Sequence, residues 1–375
     1  MIIPRIHTKP RTRQGLMWLL VGVLLMTSAP TVRAKGTTAA RASAGGLGLQ
    51  AGLLAPLPVP AGPAPAARAQ ANTAQDANQD YNSSTGPSYV LPGWGNLPWA
   101  APQYYTTIQL GDLDGDGKDE LIGREGDGIT VHKFDPVRGQ WQPVLNADGT
   151  ILRGPLPDKD GWDQPQYYLT IQLADVDGKP GKELVARGGG GMLVYRFTSA
   201  TPKPGSTLPA GAWQPLTSSG PFADSGGWSG DPSYYTTIQL GDIDGQPGAE
   251  LIGRGGDGLA VYKWDGMGWT PLTGLPALNN PNGFTQESYY KTIQLADVDG
   301  QPGEELLFRE LDGMRTYKYQ HGANGGSWIH LTRGSQPFGD SGYGFDSPSK
   351  YWTIQTADID RDGVAELLGR GQYGV

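Results

Sequence analysis

The 375-residue chain contains no cysteine. That excludes disulfides, thiolate metal sites and thiol nucleophiles together. Histidine is scarce, with four in the whole chain. Only His132, His321 and His330 lie after residue 100; none recurs at a fixed spacing and none sits beside a nucleophile motif. Zincin, nucleophile-elbow and phosphate-loop patterns are missing. So is any long helical period beyond residue 100. Hydrophobic residues make up 37% of the chain, little for a helical enzyme but ordinary for a turn-rich β protein. The formal net charge is −8, a balance that does not favour nucleic acid as partner.

One apolar run stands out, Leu16 to Met26, behind the basic residues Arg5, Lys9, Arg11 and Arg13. It is too short for a comfortable membrane span, and Val32-Arg-Ala34 offers small or apolar residues for cleavage after Ala34. Residues 1–34 are therefore predicted to be a signal peptide, with an uncleaved N-terminal anchor as the alternative. The rest is expected to be secreted or at the cell surface, with no membrane span after cleavage. Residues 35–88 are rich in Ala, Pro, Gly and Gln; Leu53 to Pro65 is low-complexity. Such a stretch cannot bury enough apolar surface to offset its ordering entropy, so it is predicted to be a disordered linker.

From residue 89 the sequence repeats. Each unit carries Tyr-Tyr-x-Thr-Ile-Gln-Leu-[Gly/Ala]-Asp, starting at Tyr104, Tyr167, Tyr234 and Tyr289, with a fifth version at Lys350. The aligned aspartates are 112, 175, 242, 297 and 358, so the units are 63, 67, 55 and 61 residues apart. Glu-Leu-x-x-Arg follows, ending at Arg124, Arg187, Arg254, Arg309 and Arg370. Then come a Gly-rich turn, an apolar run such as Ile129–Phe134, and a further run opened by Trp141, Trp213, Trp269 or Trp328. Four short β-like runs in each unit, in tandem, predict an all-β propeller of four-stranded blades. A β-solenoid is the alternative. The blades are expected at about 100–160, 161–227, 228–283 and 284–344, with a partial fifth at 345–375. Val375 falls where the fifth unit's third strand is due. The expectation is a fragment of a larger ring, with a closed five-blade ring as the alternative.

Between the first two runs lies an acidic loop. In the first unit it reads Asp112-Leu-Asp-Gly-Asp-Gly-Lys-Asp-Glu120. Carboxylates this close repel one another, and a hard cation with many oxygen ligands, commonly Ca²⁺, resolves that repulsion. One such loop is weak evidence; five in fixed register are strong.

These loops resemble the FG-GAP or VCBS-type repeats of integrin α-subunit propellers and of related bacterial and fungal propeller proteins, some of them lectins. The resemblance covers roughly residues 100–375. It implies calcium held by side chains at loop positions 1, 3, 5 and 9 and by a carbonyl at position 7. In the first unit those are Asp112, Asp114, Asp116, the Lys118 carbonyl and Glu120. In the second, Asp175, Asp177 and Glu183 match, but position 5 is Lys179, which cannot ligate while charged. The third offers Asp242, Asp244, Gln246 and Glu250; the fourth, Asp297, Asp299, Gln301 and Glu305. The fifth offers Asp358, Asp360, Asp362 and Glu366. Full sites are expected in units one and five, reduced ones in three and four, and a weak or lost one in two. Position 9 is Glu throughout where the family usually has Asp. The literal Gly-Ala-Pro element and any Arg-Gly-Asp are missing, so integrin function is not implied.

The recurring glutamines 109, 172, 239, 294 and 355 are expected to make blade-to-blade hydrogen bonds, or else to line a channel. The recurring arginines fit a structural ion pair or carbonyl donor, or else an anion or sugar clamp. Tyr105, Trp162, Tyr168, Trp228, Tyr235, Phe284 and Tyr290 flank the turns between blades. They are the candidate ligand-binding rings, with interblade packing as their other role. The strand tryptophans are expected in the core. The sequence thus points to a calcium-stabilised propeller that binds a carbohydrate or protein, as adhesion, lectin-like or scaffold module. The alternative is a secreted hydrolase, or the accessory propeller of one.

Overall fold

A computed structural model describes residues 101–322, 326–332, 337–341 and 344–371. The expected signal peptide (1–34), the linker (35–88) and the first residues of the propeller (89–100) lie outside the described residues. Among the described residues no helix is long and apolar enough to cross a membrane.

The chain forms four antiparallel four-stranded blades and a two-stranded start of a fifth, in the arrangement of a β-propeller. The first blade is β1 (Gln109–Gly111), β2 (Glu120–Glu125), β3 (Gly128–Asp135) and β4 (Gln140–Pro143). The second is β5 (Gln172–Ala174), β6 (Glu183–Gly188), β7 (Gly191–Ala200) and β8 (Ala210–Thr217). The third is β9 (Gln239–Gly241), β10 (Glu250–Gly255), β11 (Gly258–Trp264) and β12 (Trp269–Leu275). The fourth is β13 (Gln294–Ala296), β14 (Glu305–Glu310), β15 (Gly313–Gln320) and β16 (Ser327–His330). Of the fifth, β17 (Gln355–Ala357) and β18 (Glu366–Leu368) are described. Within each sheet the strands pair in sequence order, so every connection is a hairpin.

One glycine shows why the turns read as they do. Gly128 closes the tight β2–β3 hairpin at φ 123°, and a Cβ there would stand 2.3 Å from the Gly154 carbonyl oxygen. Only glycine fits both demands.

The apolar cores lie between consecutive blades. Ile122, Ile129 and Val131 of the first blade pack with Leu184, Ala186 and Phe197 of the second. The same pattern joins blades two and three, three and four, and four and five. A four-stranded sheet has two apolar faces, and each neighbour covers one. Phe197 and Phe308 are essentially fully buried. Truncating such a ring to alanine costs about 3–5 kcal/mol.

The recurring glutamines stitch these interfaces. Gln109 Nε2 donates to the Ile171 carbonyl oxygen at 2.8 Å, Gln172 to Ile238 at 3.0 Å, Gln239 to Ile293 at 2.7 Å and Gln294 to Ile354 at 3.2 Å. The blade-to-blade expectation is met at all four. The residues just before them form a single helical turn, closed by Tyr-Tyr in the first four units and by Lys350-Tyr351 in the fifth: α1 (Pro102–Tyr105), α2 (Pro165–Tyr168), α3 (Pro232–Tyr235), α4 (Glu287–Tyr290) and α5 (Pro348–Tyr351). Proline at the first helical position favours that turn in four of the five. Thr107 then sits in the bend, not on a strand. Its hydroxyl donates to the Tyr104 carbonyl oxygen at 2.7 Å and accepts from the Arg124 N–H at 2.9 Å.

Side-chain size matches across each interface as well. The residue closing the inner strand alternates: Gly111, Ala174, Gly241, Ala296. Position 8 of the next blade's loop alternates with it: Lys182, Ala249, Glu304, Ala365. A Cβ on Gly111 would meet Lys182 Cδ at 3.1 Å, and one on Gly241 would meet Glu304 Oε2 at 2.2 Å. The alanine pairs share cores instead. A long side chain thus crosses where the strand ends in glycine, and a short one sits where it ends in alanine.

Candidate metal centres and interblade clefts

Each acidic loop joins the first and second strands of its blade. Loop one folds on its own backbone. Asp112 Oδ1 accepts from the N–H groups of Gly115 at 2.7 Å and Asp116 at 3.1 Å, and Oδ2 from Gly117 at 2.9 Å. Glu120 Oε2 accepts from the Leu113 N–H at 2.8 Å. The same Glu-to-position-2 bond recurs in all the other loops, from Val176, Ile243, Val298 and Ile359. Neighbouring loops are also chained. The N–H of Lys182 donates to the Asp112 carbonyl oxygen at 2.7 Å, with equivalents from Ala249, Glu304 and Ala365 to Asp175, Asp242 and Asp297. A Cβ on Gly115 would stand 2.8 Å from Pro180 of the next loop. The Gly-x-Pro pattern therefore serves loop-on-loop packing.

The structure gathers positions 1, 3 and 9 in every loop. Asp112, Asp114 and Glu120 can place one oxygen each within 4.8 Å of the others; so can Asp175, Asp177 and Glu183; Asp242, Asp244 and Glu250; Asp297, Asp299 and Glu305; and Asp358, Asp360 and Glu366. Position 5 stays outside these triads. Asp116 and Asp362 spend an oxygen on the N–H two residues ahead, at 2.9 and 2.8 Å. Gln246 is exposed and its amide reaches only the Gly245 carbonyl oxygen, at 3.4 Å. Gln301 and Lys118 are exposed too. Lys179 pairs with Asp177 at 2.8 Å.

One partner was not foreseen. A basic residue on the third strand of each complete blade reaches into that blade's triad. Lys133 Nζ lies 2.6 Å from Asp114, 3.3 Å from Glu120 and 3.6 Å from Asp116. Lys263 Nζ lies 2.7 Å from Asp244 and 2.8 Å from Glu250. Lys318 Nζ lies 2.7 Å from Asp299 and 3.1 Å from Glu305. In blade two the residue is Arg196, which bonds Asp177 and, at 3.1 Å, Glu183. The signal was a Lys or Arg at one fixed place in each apolar run, between His132 or a tyrosine and an aromatic ring. Burial pushes the Glu250 carboxyl up to about 7, against the pull of Lys263. Burial also opposes the charge on Lys263, but its bonds to Asp244 and Glu250 outweigh that and raise it.

The triads fit a divalent ion best in loop one. Asp114 Oδ1 is buried there without a hydrogen-bond partner, in a triad whose ligand atoms can lie within 4.8 Å of one another. Buried acceptors are rarely left so.

The recurring arginines form a different device. Arg124, Arg187, Arg254 and Arg309 are fully buried. Each guanidinium stacks about 5 Å over the first tyrosine of its unit. Arg124 pairs with Asp158 at 2.5 Å, and Tyr104 donates to the same carboxylate at 2.6 Å. Arg187 repeats this with Asp224 and Tyr167, and Arg309 with Asp340 and Tyr289. In blade three the acid is replaced by Asn280. A structural ion pair is what Arg124, Arg187 and Arg309 hold, and Arg254 donates to neutral oxygens.

The aromatic expectations exchange places. Trp162, Tyr168, Trp228, Tyr235 and Phe284 are buried between blades and present no face to a ligand. Trp228 stacks 4.0 Å from Phe222, and Phe284 meets Phe308 edge-on at 5.4 Å. Tyr105 and Tyr290 are half-buried. The strand tryptophans, expected in the core, are half-exposed, and Trp213, Trp269 and Trp328 pack against its edge. Trp213 stands at a cleft of about 300 Å³ between blades one and two, with Asn146, Leu152, Arg153, Tyr195 and Pro215. Gly154 makes room for the ring, since a Cβ there would lie 2.7 Å from Trp213 Nε1. That indole N–H is buried without an acceptor, as is that of Trp269 beside Gly220. Trp328 instead donates to the Thr273 carbonyl oxygen at 2.9 Å.

No protein-family model matches the sequence, and no curated protein matches it. Solved structures do superpose. A lectin of Agrocybe aegerita, solved for its specific recognition of non-reducing terminal N-acetylglucosamine, aligns over 70% of this chain and 60% of its own, with TM-score 0.49 and 17% identity. The Photorhabdus luminescens Tc holotoxin pore aligns over 70% of this chain and 13% of its own, with TM-score 0.34 and 17% identity. A RAG complex aligns over 70% of this chain and 81% of its own, with TM-score 0.36 and 12% identity. This chain spans 60% of the length of the lectin.

Proposed function

We propose that the chain is a secreted or cell-surface β-propeller that binds carbohydrate in interblade clefts and is braced by calcium in its acidic loops. The observation that carries the carbohydrate reading is the blade one–blade two cleft. Trp213 and Tyr195 offer ring surface for the C–H face of a sugar, and Asn146 and Arg153 offer donors and acceptors for its hydroxyls. An open cleft with two aromatic rings and few polar groups fits a binding site better than a catalytic one.

Calcium would be held by Asp112, Asp114 and Glu120 and by the corresponding triads. It would neutralise the carboxylates and tie the first strand to the second. Extracellular modules bind Ca²⁺ at roughly 10⁻⁴–10⁻³ M, so millimolar calcium would stabilise each occupied site by about 0.4–1.4 kcal/mol. A glycan array probed with the full chain, in calcium and in EDTA, tests the reading. Retention of a defined glycan class, weakened in EDTA, supports it. Silence on the array, together with hydrolysis of a polysaccharide, would favour the hydrolase instead.

A further inference from the structure

Lys133, Lys263 and Lys318 each bridge two of the three carboxylates that a loop-bound calcium would need. We propose that these lysines are tethered counter-ions that hold the loops closed without calcium and are displaced when it binds, whereas Arg196 holds loop two closed permanently. The inference rests on the calcium reading above.

The geometry is the same in three blades. Each lysine comes from the third strand, thirteen residues beyond the position-9 glutamate, and its Nζ bridges positions 3 and 9. In loop three both acceptors are sealed from solvent, with Asp244 and Glu250 side chains 0% exposed. Two carboxylates buried together demand a cation. Either a lysine ammonium or a divalent ion meets that demand, and both need the same oxygens. A lysine is suited to exchange. Its charge is a point on a flexible stem.

Blade two is built otherwise. Arg196 uses Nε and a terminal nitrogen on Glu183 and the same terminal nitrogen on Asp177. Lys179 adds a second cation on Asp177. A planar fork with several bonds gives up its partners less readily than an ammonium. The loop whose position 5 already argued against calcium is thus the loop with the firmest internal counter-ion. Among the described residues, no ion pair reaches the fifth triad.

Two variants of the full chain test this, Lys263→Met and Lys263→Arg, by thermal melting in EDTA and by calcium titration calorimetry. Lys263→Met is expected to melt about 5–10 °C lower in EDTA, to be rescued by millimolar calcium, and to bind one calcium about tenfold tighter or more than the unmodified chain. Lys263→Arg copies blade two. It is expected to keep its melting temperature in EDTA and to lose one equivalent of calcium. Should the unmodified chain bind calcium while neither variant changes affinity or stoichiometry, lysine displacement is overturned and the calcium reading stands. Should none of the three proteins bind calcium, both ideas fall, even if Lys263→Met melts lower in EDTA.

Discussion

Asn280→Asp should stabilise the protein. Arg254 is fully buried, yet it is the one recurring arginine of the complete blades without a carboxylate. Its guanidinium bonds the Asn280 side-chain oxygen, Ser233 Oγ at 2.7 Å and the Leu278 carbonyl oxygen at 3.0 Å. Asn280 Nδ2 in turn donates to Tyr234 Oη at 3.0 Å. Aspartate would reverse that last bond, as Tyr104 donates to Asp158 in blade one. At about 3 Å and an effective dielectric near 20, the added attraction is about 5 kcal/mol. The new carboxylate loses hydration, but only in part: Asp158 and Asp224 stay 34% and 32% exposed in the same role. A net gain of about 1–3 kcal/mol remains, a rise of about 2–8 °C in Tm. Differential scanning calorimetry at neutral pH reads it directly. An unchanged or lower Tm would mean that neutral carbonyls already satisfy the buried charge, and the ion-pair explanation of the other three blades would lose its force.

Three further outcomes are expected. Gly241→Ala should destabilise by forcing Glu304 off the strand, and Glu304→Ala should relieve part of that; a double-mutant cycle by denaturant unfolding should show coupling of about 1 kcal/mol, and additive effects would refute the size match. Burial, with Asp242 and Asp297 nearby, raises the Glu304 carboxyl to about 7. An acid raised in the folded state costs stability as pH climbs from about 4.5 to 7 and no further. In EDTA, Glu304→Gln should therefore match the unmodified chain near pH 4.5 and exceed it by about 1–2 kcal/mol above pH 7, after allowance for its partial exposure. A constant difference across that range would contradict the assignment. Finally, chelation should lower Tm by several degrees and Asp112→Ala should shrink that shift; identical melting curves with and without EDTA would remove calcium from the description.

Much of the fold was legible because a repeat reports itself several times. Position 9 glutamate, Gln109 and Arg124 each stand out by recurrence, and their structural roles follow from residue chemistry. The acidic triads were visible for the same reason. What stayed hidden depends on which neighbour covers which face. Trp162 and Trp213 look alike in sequence, both beside turns or strand ends. One is sealed by the adjacent blade and the other borders a cleft, and no periodicity within a single blade encodes that. Lys133, Lys263 and Lys318 lie within the apolar runs, and the sequence carries no signal of which residues they meet. Their meaning emerges once the hairpins bring the third strand over the loop. Tyr-Tyr falls at the turns between blades in the sequence, and the preceding proline starts the helical turn found there in four of the five units.

The most direct measurement is calorimetric titration of the tightest-binding glycan from the array into two variants, Trp213→Ala and Trp162→Phe. Binding through the interblade cleft requires that Trp213→Ala, at a temperature where it remains folded, lose affinity at least about tenfold, while Trp162→Phe binds normally. Undiminished binding by Trp213→Ala, or loss confined to Trp162→Phe, would contradict the cleft as the carbohydrate site.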